Sequence, residues 1–139
     1  MNKLKQGFTL IELLVVIAII AILSTVVFVA LDPATRFADA RDSRRWSDVN
    51  SILTAVHQCI VDNGGSLSTC GITDTSVHNL GIGSSNLDLS TELAKYLKTI
   101  PVDPQGSSAA TGYTIQADTN NIITVTAASA ENATIEVSR

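Results

Sequence analysis

Few residues in this chain could do chemistry, and the most unusual is a lone carboxylate: Glu12 stands four residues after Phe8, with Gly7 just ahead of both. From Leu13 to Leu31 no residue is charged and only Ser24 and Thr25 are polar. Those 19 residues are enough to cross a hydrocarbon core of about 30 Å as a helix. A carboxylate inside hydrocarbon costs about 2.5 kcal/mol or more without a partner. Glu12 is therefore either a helix-entry acid at headgroup level or one half of a buried ion pair. The remaining candidates are sparse. His57 and His78 are the only histidines, and neither has the Ser, Cys or acid arrangement of a hydrolase. There is no glycine-rich phosphate loop and no metal-ligand spacing, so the sequence argues against an enzyme.

Lys3 and Lys5, then Gly7, then Phe8-Thr9-Leu10-Ile11-Glu12 and the unbroken apolar run together resemble the class III signal of type IV pilins and type II secretion pseudopilins. The resemblance implies a prepilin peptidase that cuts between Gly7 and Phe8 and N-methylates the new terminus at Phe8. It further implies that Glu12 attracts the Phe8 amine of a neighbouring subunit during assembly on an inner-membrane platform. The physical chemistry agrees, because a desolvated carboxylate and a desolvated ammonium attract strongly and each is stranded without the other. The function implied is that of a structural subunit, a type IV pilin polymerised into a helical homo-oligomeric surface filament. The alternative is a pseudopilin of a type II secretion or DNA-uptake (competence) system.

The formal charge is −4, and loss of a leader carrying Lys3 and Lys5 and no acid would leave −6. An acidic chain argues against nucleic-acid binding, which relies on phosphate neutralisation by Lys and Arg. Positive charge ahead of the apolar run sets the amino terminus in the cytoplasm and the head outside. The expected itinerary is a single-pass precursor in the cytoplasmic membrane, held by lipid, and then an extracellular filament, or a periplasmic one for a pseudopilin. A rival reading is a secretory signal peptide cut near Val29-Ala30; the run is longer than a typical h-region, and Glu12 fits it poorly.

The elements that must carry this amino-terminal chemistry follow in order. Asp32-Pro33 is expected to kink the helix, which then continues to about Val61. From Phe8 that is 54 residues, about 80 Å of helix at full extension. Trp46, Val49, Leu53, Val56 and Ile60, widened by Ile52 and Cys59, form an amphipathic stripe that starts at Trp46. Residues 38–48 carry Asp39, Arg41, Asp42, Arg44, Arg45 and Asp48. They read as a solvated face or as a salt-bridged contact between subunits, in which case reversing Arg44 and Arg45 to Glu would weaken assembly more than folding.

Asp62-Asn63-Gly64-Gly65 supplies a helix stop. Residues 64–89 read as loop without a strand, and Ser90–Leu97 as a short helix with Ser90 as N-cap. Cys59 and Cys70, an even pair in an oxidising compartment, are expected to form a disulfide; two separate thiols are the alternative. Pro101-Val102-Asp103-Pro104 resembles the sheet entry of major pseudopilins, though Gln105 stands where the family usually has an aromatic. Some of those proteins hold calcium, which makes Asp103 and Asp118 weak oxygen-ligand candidates. Otherwise no cofactor is expected. Residues 112–117, 122–127 and 133–137 alternate apolar with polar and read as a three-stranded antiparallel meander. Asn132-Ala133-Thr134 matches a glycosylation acceptor.

The expected fold is α+β: a long N-terminal helix, half transmembrane and half amphipathic, packed on a small antiparallel sheet of about three strands. The expected divisions are a leader over 1–7, the transmembrane and assembly half over 8–31, the amphipathic half over 32–62, and a loop and sheet head over 63–139. That head forms one globular domain with residues 46–62.

Overall fold

A computed structural model describes residues 7–139; Lys3, Lys5 and leader residues 1–6 lie outside the described residues. The chain divides into two compact units, Met1–Phe37 and Ala38–Arg139.

In the first unit, helix α1 runs Leu10–Leu31. It is apolar on every side, and none of its residues is buried. A helix hydrophobic all round needs lipid or other protein to cover it. Its length and hydropathy suit a membrane span. The helix stops at Asp32, whose backbone is left-handed (φ 38°, ψ 74°), an uncommon conformation for a side chain other than Gly, Asn or Asp. Helix α2, Pro33–Asp62, begins at once, with Pro33 in the first helical position, where its missing N–H is not needed. The Thr35 hydroxyl donates to Asp32 Oδ2 at 2.6 Å, so the break is satisfied locally.

In the second unit, α2 buries Val49, Ile52, Leu53, Ala55, Val56 and Cys59. They share one core with Tyr113, Ile115 and Ala117 of strand β2 (Tyr113–Ala117), with Ile123, Val125 and Ala127 of β3 (Ile123–Ala127), and with Ile135 of β4 (Ile135–Ser138). Each fully buried aliphatic side chain contributes about 1.5–3 kcal/mol. Period-2 alternation sends Thr114, Thr124 and Thr126 to the opposite, partly exposed face.

The sheet has four antiparallel strands in the order β1-β2-β3-β4, one more than the alternation suggests. The extra strand β1, His78–Asn79, falls in the segment expected to be loop. Two residues carry no readable alternation; the β2 edge recruits them, with Leu80 N–H donating to the Tyr113 carbonyl and Thr111 N–H to that of Leu80, both at 2.9 Å. The short helix expected over Ser90–Leu97 is instead a series of turns. Its bonds, such as Leu97 N–H to the Leu93 carbonyl at 2.8 Å, are helical in kind, but eight residues are too few to sustain a regular helix alone.

The stop after Asp62 uses Gly64 (φ 66°) and Gly65 (φ 93°), and Gly65 N–H donates to the Ile60 carbonyl at 2.8 Å, as a left-handed C-terminal cap requires. A disulfide joins Cys59 to Cys70, 11 positions apart with a Cα separation of 6.0 Å. Both cysteines are buried. Closing a ring of this size stabilises by about 3 kcal/mol in the chain-entropy picture, and here it fastens the following loop to the end of α2.

Candidate functional site

The first site lies where α1 begins. Thr9 is its N-cap: the Thr9 hydroxyl accepts from Glu12 N–H at 3.3 Å, and Glu12 Oε2 accepts from Thr9 N–H and from the Thr9 hydroxyl, both at 2.8 Å. This reciprocal capping box satisfies two helix-terminal donors and places negative charge at the positive end of the helix dipole. Glu12 therefore has a partner within its own chain. Thr-x-x-Glu ahead of an apolar run is a readable start signal, yet sequence reasoning weighed Glu12 without Thr9. Phe8 is 81% exposed, and Gly7 is exposed with open space around it. A cut between Gly7 and Phe8 would leave the Thr9 amide and the box intact.

The second site is a charge cluster that binds α2 to two distant loops. Arg45 is fully buried. Its guanidinium donates to Asp103 through Nε at 2.5 Å and Nη2 at 3.1 Å, to Asp42 through Nη1 at 2.8 Å, to Glu131 through Nη1 at 2.9 Å, and to Gln105 through Nη2 at 2.9 Å. Arg41 meets Glu131 in a bidentate pair, both contacts at 2.6 Å. Asp42 also accepts the backbone N–H groups of Glu131 and Asn132 at 3.1 and 2.8 Å, and the Asn132 amide donates to Asp39. Three carboxylates thus face two guanidiniums, and backbone donors carry the excess negative charge. A buried arginine holds only where its donors are matched in this way. Gly112 (φ 86°) permits the close approach, since a Cβ there would lie 2.8 Å from Asp103 Cβ.

This corrects the reading of residues 38–48. One side of the stretch is turned into the head and pairs within the chain, while Asp39, Ala40, Ser43, Arg44, Trp46 and Ser47 stay exposed. Ala38, Asp42 and Arg45 are buried, while Trp46, expected to open the stripe, is 41% exposed. Asp42 is one helical turn from Arg45, but the other partners of Arg45, Asp103, Gln105 and Glu131, lie 58 to 86 positions away, beyond any helical periodicity. Arg44 alone keeps the expected character, with a 3.7 Å surface pair to Asp48. Hydrogen bonding to Asp103 raises the Arg45 pKa. Burial pushes the Asp103 carboxyl up, but Arg45 and the Gln105 amide outweigh it and hold it below the usual range. Arg41, then Arg45, draw the Glu131 carboxyl down to about 2.

The other candidates stand apart. Both Asp103 oxygens are taken by Arg45, and Asp118 caps its own turn, accepting from Asn120 and Ile122 N–H at 2.7 and 2.8 Å. Among the described residues no three His, Cys, Asp or Glu side chains gather as a metal site. His78 contacts Asp74 at 2.8 Å. His57 is partly buried on α2, and its Nε2 has no partner.

Comparison with known proteins bears on the first site. Residues 2–28 match the family described as the prokaryotic N-terminal methylation motif. A type IV major fimbrial protein FimA of Dichelobacter nodosus is 31% identical over 126 residues, covering 91% of this chain and 72% of the relative. Two further proteins of that name and organism are 37% identical over 62 residues, 45% of this chain and 38% of theirs. No solved structure gives a significant match.

Two outcomes follow from the charge cluster. Arg45→Glu should cost about 3–5 kcal/mol in denaturant unfolding, because it strands buried carboxylates, whereas Arg44→Glu should change stability by less than about 0.5 kcal/mol; equal effects would contradict the burial. For Glu131 the folded value near 2 lies below the ordinary 4.5. Its pairs therefore stabilise fully above about pH 4.5 and are lost as pH falls toward 2. Thermal melting at stepped pH should lose less below pH 4.5 in Glu131→Gln than in the parent, and parallel profiles would contradict the pairing.

Proposed function

Because the chain belongs to the type IV pilin family, a family of structural fimbrial subunits, we propose that it is itself the building block of a surface filament, assembled through α1. A prepilin peptidase removes residues 1–7 and methylates Phe8; the chain waits in the cytoplasmic membrane with its amino terminus inside; and the assembly platform then exchanges lipid for neighbouring subunits around α1. The observation that carries this reading is a helix of 22 residues with no buried residue, headed by a single carboxylate. The relatives are named as major fimbrial proteins, which favours a pilin over a pseudopilin.

In the separate subunit the capping box holds Glu12. On docking, the Phe8 ammonium of a neighbour approaches that same carboxylate and adds a full positive charge to a group already aimed by Thr9. In a dry filament interior this pairing is far stronger than in water, and it fixes the axial register between copies. Glu12→Ala should leave the chain processed and membrane-inserted while lowering sheared filament yield at least about tenfold. Thr9→Val, which spares the carboxylate, should lower it much less. Normal filament yield from Glu12→Ala would defeat the reading.

A further inference from the structure

The turn that ends α2 carries a reactive pair that neither the charge cluster nor the filament reading uses. Of the asparagines in the sequence, Asn63 alone is followed by glycine. Asn-Gly is the dipeptide in which an asparagine most readily closes on its own backbone, because glycine has no side chain to hinder the approach and its backbone turns freely. In that reaction the Gly64 nitrogen passes its proton to solvent and attacks Asn63 Cγ. The new C–N bond closes a cyclic imide, and Nδ2 takes up a proton and leaves as ammonia. Water then opens the imide at either carbonyl, giving aspartate or isoaspartate. One water is consumed and one ammonia released, and no enzyme or cofactor takes part.

Bulk does not shield the pair. Asn63 and Gly64 are exposed, and a Cβ on Gly64 would meet nothing within 4 Å. Restraint comes instead from hydrogen bonds. Asn63 Nδ2 donates to the Cys59 carbonyl at 2.9 Å and lies 3.5 and 3.8 Å from the Cys59 and Cys70 sulfurs, so the disulfide forms one wall of the amide's seat. The nucleophile is occupied too, since Gly64 N–H donates to the Val61 carbonyl at 3.2 Å. Attack requires both groups to be released together, which means that the end of α2 must open locally.

We propose that Asn63-Gly64 is a deamidation site gated by the Cys59–Cys70 disulfide. While the disulfide is closed, it ties the following loop back onto α2, and the opening is rare. Once it is reduced, the sulfurs part, the amide loses that wall, and the turn opens often enough for the imide to form. The products cannot restore the turn. Aspartate has no amide N–H, so the Cys59 carbonyl faces a carboxylate instead of a donor, and isoaspartate inserts a methylene into the backbone of the cap. Reduction, reversible by itself, is thereby recorded permanently. Both sulfurs are buried, and the Asn63 amide is part of what covers them, so the conversion in turn opens the disulfide to thiols. The proposal stands on the head alone and is independent of filament assembly.

The test incubates the full chain in detergent micelles at mildly alkaline pH beside a Cys59→Ser/Cys70→Ser variant, with peptide mapping that resolves asparagine, aspartate and isoaspartate. Asn63 should convert at least about tenfold faster in the serine variant, while Asn50 and Asn132 stay unchanged in both. In denaturant the two chains should convert equally fast, because the fold that the disulfide holds, and not sulfur chemistry, is the restraint. Should the serine variant lose its fold, Asn63→Asp decides, since it keeps both cysteines: dithiothreitol should reduce its disulfide at least about threefold faster than that of the parent. Equal conversion of Asn63 in the two folded chains, faster conversion at another asparagine, or an unchanged reduction rate in Asn63→Asp would each overturn the proposal.

Discussion

One constraint governs the molecule: α1 has 22 residues, is apolar on all sides and buries none of them. At about 25 cal/mol per Å² such a surface cannot be left to water. In the proposed pilin reading, lipid covers it in a precursor and other copies cover it in a filament, so the helix serves two environments with one sequence. That double duty accounts for its uniformity. A helix packed on its own core would show a stripe, whereas one that exchanges lipid for neighbours must be acceptable to both around its whole circumference. The single acid at its head is tolerable because Thr9 satisfies it before any partner arrives.

The head meets a different constraint, a buried guanidinium. Arg45 joins α2 to the Asp103 loop and to the β3–β4 connection through Glu131. Hydrophobic burial holds the sheet on Val49, Ile52, Leu53 and Val56, but it is non-directional and tolerates sliding. Fork-shaped donors matched to three carboxylates do not tolerate sliding. The Cys59–Cys70 disulfide fastens the opposite end of the same stretch of helix. Between them, this stretch of helix is tied at both ends to the loops that surround the sheet.

Much of this was legible in the residues, for physical reasons that differ by element. The apolar run, the Gly64-Gly65 stop and the three C-terminal strands announce themselves through local periodicity and turn chemistry. The charged stretch did not. Alternating Asp and Arg on a helix look alike whether they face water, a neighbour or a partner some 60 to 90 positions away, and only tertiary pairing distinguishes these. The same limit hid β1, whose two residues are strand only because β2 offers an edge, and it dissolved the Ser90–Leu97 helix, whose local preference is outweighed by its shortness. Thr9 is different: its box with Glu12 is local, and Thr-x-x-Glu ahead of an apolar run carries it in the sequence itself.

The mature amino terminus tests the central claim most directly. Intact mass and terminal sequencing of the chain recovered from sheared surface filaments should show a polypeptide that begins at Phe8 and carries an N-methyl group. A chain still beginning at Met1, or one cut near Val29-Ala30 and so lacking α1, would contradict it.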